Sequence, residues 1–113
     1  MEKYSTVMLK DFRNKKGFEI KKGESVELEF NDKYYGMHAF VRIFKEGQYD
    51  KKGAVLMQNL HKWVKGATKP PSINALEKME WSGKVKSVLG RIVEPDGVDE
   101  YGSPSWFMVM GII

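Results

Sequence analysis

Residues 54–83 read AVLMQNLHKWVKGATKPPSINALEKMEWSG, and their periodicity decides the class of fold. Leu56, Leu60, Trp63 and Val64 recur at helical spacing, while Gln58, Asn59, Lys62 and Lys65 fall on the other side, so the pattern predicts an amphipathic helix over 54–64. Gly66 is placed to stop it, and Pro70-Pro71 cannot continue it, because proline lacks the backbone donor and crowds the preceding turn. The Ser72 hydroxyl can cap a second helix, whose apolar side is Ile73, Leu76 and Met79 and whose end is Ser82-Gly83. Two helices joined by a stiff turn are therefore expected at the centre of the chain.

Outward from this pair the period changes. In Gly17–Phe30, Val26, Leu28 and Phe30 alternate with Ser25, Glu27 and Glu29, as in a half-buried strand. Phe18 and Ile20 alternate before the Lys21-Lys22-Gly23 turn, Asn14-Lys15-Lys16-Gly17 forms another turn, and Asn31-Asp32-Lys33 closes the region. Tyr34 to Phe44 fits either element. Met37, Phe40, Val41 and Phe44 would share a helix face, and a charged Arg42 would interrupt a strand that is apolar on both sides, so a helix is favoured there. Residues 45–53 read as a polar connection. Beyond 84, Ile92-Val93 is expected to pair with the apolar run Trp106–Ile113 as a hairpin around a solvated acidic loop containing Glu94, Asp96, Asp99 and Glu100. The sum is an α+β fold in one domain, 1–113: N-terminal short antiparallel strands (1–33), a mostly helical basic region (34–83) holding the helix-turn-helix-like pair, and a C-terminal β-hairpin (84–113).

The 113 residues contain no cysteine, which removes disulfides, thiolate metal sites and cysteine nucleophiles together. No run approaches the length of a membrane span and no apolar leader opens the chain, so a cytoplasmic location is expected. The net charge is +4. Its distribution says more, because residues 34–86 carry ten Lys/Arg against four Asp/Glu, while residues 87–113 carry one against four. A centre of that sign attracts polyanions. His38 and His61 lie in no metal-ligand spacing, the acids of 94–100 do not match a calcium loop, and no GxSxG, GxGxxG or GxxxxGK element is present. No cofactor, metal or enzymatic activity is expected.

Leu60, Trp63, Gly66, Pro71-Ser72 and Leu76 together resemble the end of the recognition helix and the start of the following helix in the phage-repressor-type helix-turn-helix family, over about residues 59–78. The resemblance implies a phage or mobile-element regulator that reads double-stranded DNA with the helix at 54–64, as a homodimer on paired half-sites. Gln58 and Asn59 would then pair with base edges, and Lys62, Lys65, Lys69, Lys51 and Lys52 would contact base or phosphate. Two other functions fit the residues. A small adaptor or inhibitor could bind another protein, including an acidic one, through Tyr34, Tyr35, Tyr49 and Tyr101. A single-strand binder could stack bases on Tyr34, Tyr35, Phe40 and Phe44 beside Lys33, Arg42 and Lys45.

Overall fold

The alternation read in Ser25–Phe30 is the spine of the structure. In the computed structural model, which describes residues 3–30 and 36–112, these residues form β4, with Val26, Leu28 and Phe30 buried. β4 pairs antiparallel with β1 (Tyr4–Val7) on one side and with β5 (Phe40–Lys45) on the other, and β5 pairs with β6 (Gln48–Leu56), giving the sheet order β1-β4-β5-β6. Between β1 and β4, β2 (Phe12–Arg13) and β3 (Glu19–Ile20) make a separate short hairpin. The turn expected at residues 31–33, the aromatic pair Tyr34 and Tyr35, and Ile113 lie outside the described residues.

The helix expected over 34–44 is not formed: residues 36–38 make a bend and turn, and Phe40–Lys45 is the strand β5. Val41 and Ile43 are buried while Phe40 and Arg42 are exposed, which is period two. Arg42 does not interrupt the strand because it points outward, opposite Glu29, and donates to that carboxylate at 2.8 Å. A cross-strand ion pair thus absorbs the charge that argued for a helix.

The helix expected over 54–64 is also shorter than its periodicity implies. Ala54, Val55 and Leu56 extend β6 by pairing with Arg42, Val41 and Phe40. A 3₁₀ turn follows at Met57–Asn59, and α1 is the single turn Leu60–Trp63. Val64 is already extended and bridges Met8. Leu9 donates to the Trp63 carbonyl at 2.8 Å and Lys65 to the Val7 carbonyl at 3.1 Å, so this segment lies along the free edge of β1 and wraps the sheet back on itself. Gly66 ends the run at φ 99°, and a Cβ there would run into the Tyr4 hydroxyl.

The second helix appears as expected. α2 (Ile73–Ser82) is capped by Ser72, whose Oγ accepts from the Ala75 N–H at 3.2 Å, and it ends at left-handed Gly83. Short α1, the proline-containing turn and α2 form a two-helix region of generic helix-turn-helix kind.

A C-terminal hairpin is present, but its strands are β7 (Val85–Lys86) and β8 (Ile92–Val93). The apolar run expected to pair with Ile92-Val93 instead makes α3 (Trp106–Val109), capped by Ser105, with Trp106, Phe107 and Val109 buried. The acidic loop is not uniformly solvated either. Asp99 is buried, its carboxylate accepting from the Ser87 hydroxyl at 2.7 Å and from the N–H groups of Tyr101 and Ser103 at 2.9 and 3.0 Å. Those donors compensate the lost hydration of the acid. Asp96 stays exposed, and Glu100 pairs with Arg91 at 2.8 Å. One apolar cluster joins the sheet to Val88, Leu89, Trp106 and Val109, and a smaller one joins Leu76 to Val85 and Phe107.

Candidate nucleic-acid interface

The lysines singled out in the sequence fall into two groups. Lys51 and Lys52 are exposed on β6, where they line a cleft of about 330 Å³ with Lys16, Asn14, Phe18 and Asp50. The β2–β3 hairpin supplies the other wall. Its turn is set by Asn14, whose Oδ1 accepts from the N–H groups of Lys16 and Phe18 at 3.0 and 2.9 Å, an Asx turn. Phe12 then pins the hairpin to β6 by lying against Gly53, where any side chain would collide with its ring. Lys16 thereby meets Lys51 and Lys52. The sequence marks Asn14–Gly17 as a turn but holds no local sign of what that turn faces.

The second group surrounds α1. Lys62 and Lys69 are exposed, and both charges act on His61. Burial first, then these two lysines, hold His61 below the ordinary histidine range. Next to it, Trp63 is half-buried between the Phe12 ring, edge-on at 5.5 Å, and the Lys10 ammonium, 4.0 Å from its centroid. Lys65 is exposed on the segment paired to β1, and Gln58 and Asn59 are half-buried in the 3₁₀ turn.

Five of the described cations are already engaged with carboxylates. Arg13 and Lys21 pair with Glu19, Arg42 with Glu29, Lys45 with Glu24, and Arg91 with Glu100. Among the described residues, no such ion pair involves Lys16, Lys51, Lys52, Lys62, Lys65 or Lys69. Asp50 shares the cleft with Lys16, Lys51 and Lys52, and one carboxylate against three ammonium groups leaves net positive charge for an external anion.

The helical run that the family resemblance sets in a groove is short, a 3₁₀ turn at Met57–Asn59 followed by one α-helical turn. At about 2.0 Å per residue in the 3₁₀ turn and 1.5 Å in α1, it spans about 12 Å, of which only about 6 Å is α-helix. Gln58 and Asn59 precede α1 and are partly covered. The stacking platform is likewise incomplete among the described residues. Phe40 is 56 % exposed, but Phe44 is buried, with Tyr49 edge-on to it at 5.8 Å. Tyr49 donates to Glu27 at 2.7 Å, and Tyr101 packs edge-on to Tyr4. No three His, Cys, Asp or Glu side chains among the described residues gather as a metal site, and no described helix is long and apolar enough to cross a membrane.

His61 provides a measurable consequence. Its folded pKa lies below the unfolded value of about 6.5, so as pH falls through that value the unfolded chain takes up the proton first. Stability is expected to drop from about pH 6.5 down to the folded pKa and to level off below it. His61→Gln should remove that acid-side loss. A phosphate chain set against Lys62 and Lys69 would offset their repulsion of imidazolium, so binding should raise the His61 pKa, as read by its NMR titration with and without DNA. An unchanged titration on saturation with DNA would place the anion elsewhere.

Comparison with known proteins finds no matching family model, no matching curated protein and no matching solved structure.

Proposed function

We propose that this domain is a non-enzymatic nucleic-acid-binding protein, regulatory or accessory, that holds the phosphate backbone of DNA through the two lysine groups and does not insert a helix into a groove. The observation that carries the reading is that lysines outside every ion pair of the described residues are gathered in space: Lys16, Lys51 and Lys52 line one cleft, and Lys62 and Lys69 both act on His61. A lysine already neutralised by a carboxylate must exchange one partner for another, whereas a free one releases only water and counterions to meet a phosphate. Contacts of this kind position a protein without reading sequence, so affinity should vary little between unrelated sequences of equal length.

Titrations against labelled duplex and single-stranded DNA over a range of salt concentrations test the proposal. The log–log salt slope should fall by about 0.9 for each duplex phosphate that no longer meets a lysine, or about 0.7 on single strands. Lys51→Ala/Lys52→Ala and Lys62→Ala/Lys69→Ala should therefore each lower the duplex slope by about 1.8 if both lysines of a pair touch phosphate. Folded wild type that binds neither form of DNA at low salt would overturn the reading, as would both variants retaining the wild-type slope. An acidic protein would meet the same lysines, and binding to an acidic polypeptide but to neither nucleic acid would transfer the site to that class of partner.

A further inference from the structure

Among the described residues, the outer face of α2 is left uncovered. Only Leu76 is fully buried on this helix, with Met79 half-buried, while Trp81 is 90 % exposed and Ile73 75 % exposed. An exposed surface tryptophan is a large apolar cost without a docking role, and tryptophan is among the residue types that dominate interface energy. Ile73, Glu77 and Trp81 lie at i, i+4 and i+8 and so form one stripe, with Asn74 and Lys78 in the adjoining row. The stripe is apolar at both ends and charged in the middle.

We propose that this face binds a second copy of the chain, α2 against α2, antiparallel about a two-fold axis that passes between Glu77 and Lys78. Three features select this occupant. First, a two-fold arrangement places Glu77 of each copy against Lys78 of the other, so one ion pair forms twice. Neither residue takes part in an ion pair of its own chain among the described residues. Second, the same axis carries Trp81 of each copy over Asn74 of the other, at the Ile73 end of the helix. Third, beside that end, on the Ile73 and Leu76 side of the helix, lies a groove of about 320 Å³ whose floor is Leu76, Phe107 and Met110, with Ile73 and Ile112 on its walls and Glu77 and Glu80 at its rim, so an indole would find apolar surface below a charged edge. Each tryptophan would bury about 200 Å². That is well below the roughly 800 Å² per partner of a standard stable interface, so the dimer is weak and forms with concentration. None of these residues belongs to the lysine groups, so dimerisation and nucleic-acid binding succeed or fail separately.

Sedimentation velocity of the full chain across a wide concentration range, without nucleic acid, is the test. Wild type should shift from monomer to dimer. Trp81→Ala, which alters a side chain outside the core, should keep the wild-type circular dichroism and melting temperature yet remain monomeric throughout. Glu77→Lys and Lys78→Glu should each remain monomeric, because each sets like charges face to face, whereas the double variant Glu77→Lys/Lys78→Glu should dimerise again. The proposal is overturned if wild type stays monomeric at every concentration, if Trp81→Ala dimerises as wild type does, or if the double variant is no better than either single one. A strictly monomeric wild type would leave the exposed stripe to a different protein.

Discussion

Trp106→Ala is expected to destabilise the domain by about 3–5 kcal/mol, the usual cost of removing a large buried aromatic side chain. That is a large share of the roughly 5–15 kcal/mol that holds a typical domain together. Trp106 is 1 % exposed and belongs to the cluster that also contains Met8, Val26, Leu28 and Leu60, so its ring is shared by the sheet and the C-terminal segment. Its indole nitrogen also donates to Thr68 Oγ1 at 2.8 Å, and the same hydroxyl donates to the Val88 carbonyl at 2.8 Å. The tryptophan therefore fastens the connection between α1 and α2 to the β7–β8 turn. Urea unfolding separates the two contributions. Trp106→Phe keeps most of the ring and loses only the donated bond, for about 1 kcal/mol plus a modest packing cost. If phenylalanine and alanine cost the same, shared packing is not what Trp106 supplies.

Asp99→Ala should cost about 2–4 kcal/mol, a value that a surface-loop acid would not reach. The carboxylate takes one hydroxyl and two backbone donors, and alanine leaves all three buried or half-buried with no acceptor, at about 1–3 kcal/mol for each group that water cannot reach. The loss spreads further, because the Ser87 hydroxyl held by Asp99 also accepts from the Arg91 N–H at 3.1 Å, and Ser103 Oγ accepts from the Leu89 N–H at 3.2 Å. Asp99→Asn should lose less, since one amide oxygen can still receive both backbone N–H groups. A double-mutant cycle with Ser87→Ala should show a coupling of about 0.5–3 kcal/mol. Simple additivity would mean that the two residues act independently, against the direct bond between them.

Neither effect is visible in the sequence around these residues. Asp99 stands among other acids and glycines, and its burial depends on Ser87, which reaches it from the far side of the β7–β8 turn. Trp106–Val109 is as apolar as a central strand. Only Ser105, one residue ahead, can be recognised as a cap, and only packing against Leu76 and Val85 shows why one helical turn is the better way to bury Phe107.

Local reading succeeds where the deciding atoms are close along the chain. The β4 alternation, the Ser72 cap, the Gly83 stop and the Asn14 turn all involve groups within a few residues, and all are in the structure. The seven candidate site residues show the limit of that range: their exposure or charge could be read locally, but their grouping could not. Tertiary structure decided that residues 40–45 and 54–56 are strands, because hydrogen-bonded neighbours on both sides of β5 outweigh a weak local preference, and because Glu29 neutralises the Arg42 that spoke for a helix. It also shortened the helix at 54–64 to one turn, by giving Val64 and Lys65 to the edge of β1. It brought Lys16 to Lys51 and Lys52 by docking Phe12 onto Gly53. Periodicity reports which side of a segment is apolar, but it does not report which distant backbone will satisfy that segment's hydrogen bonds.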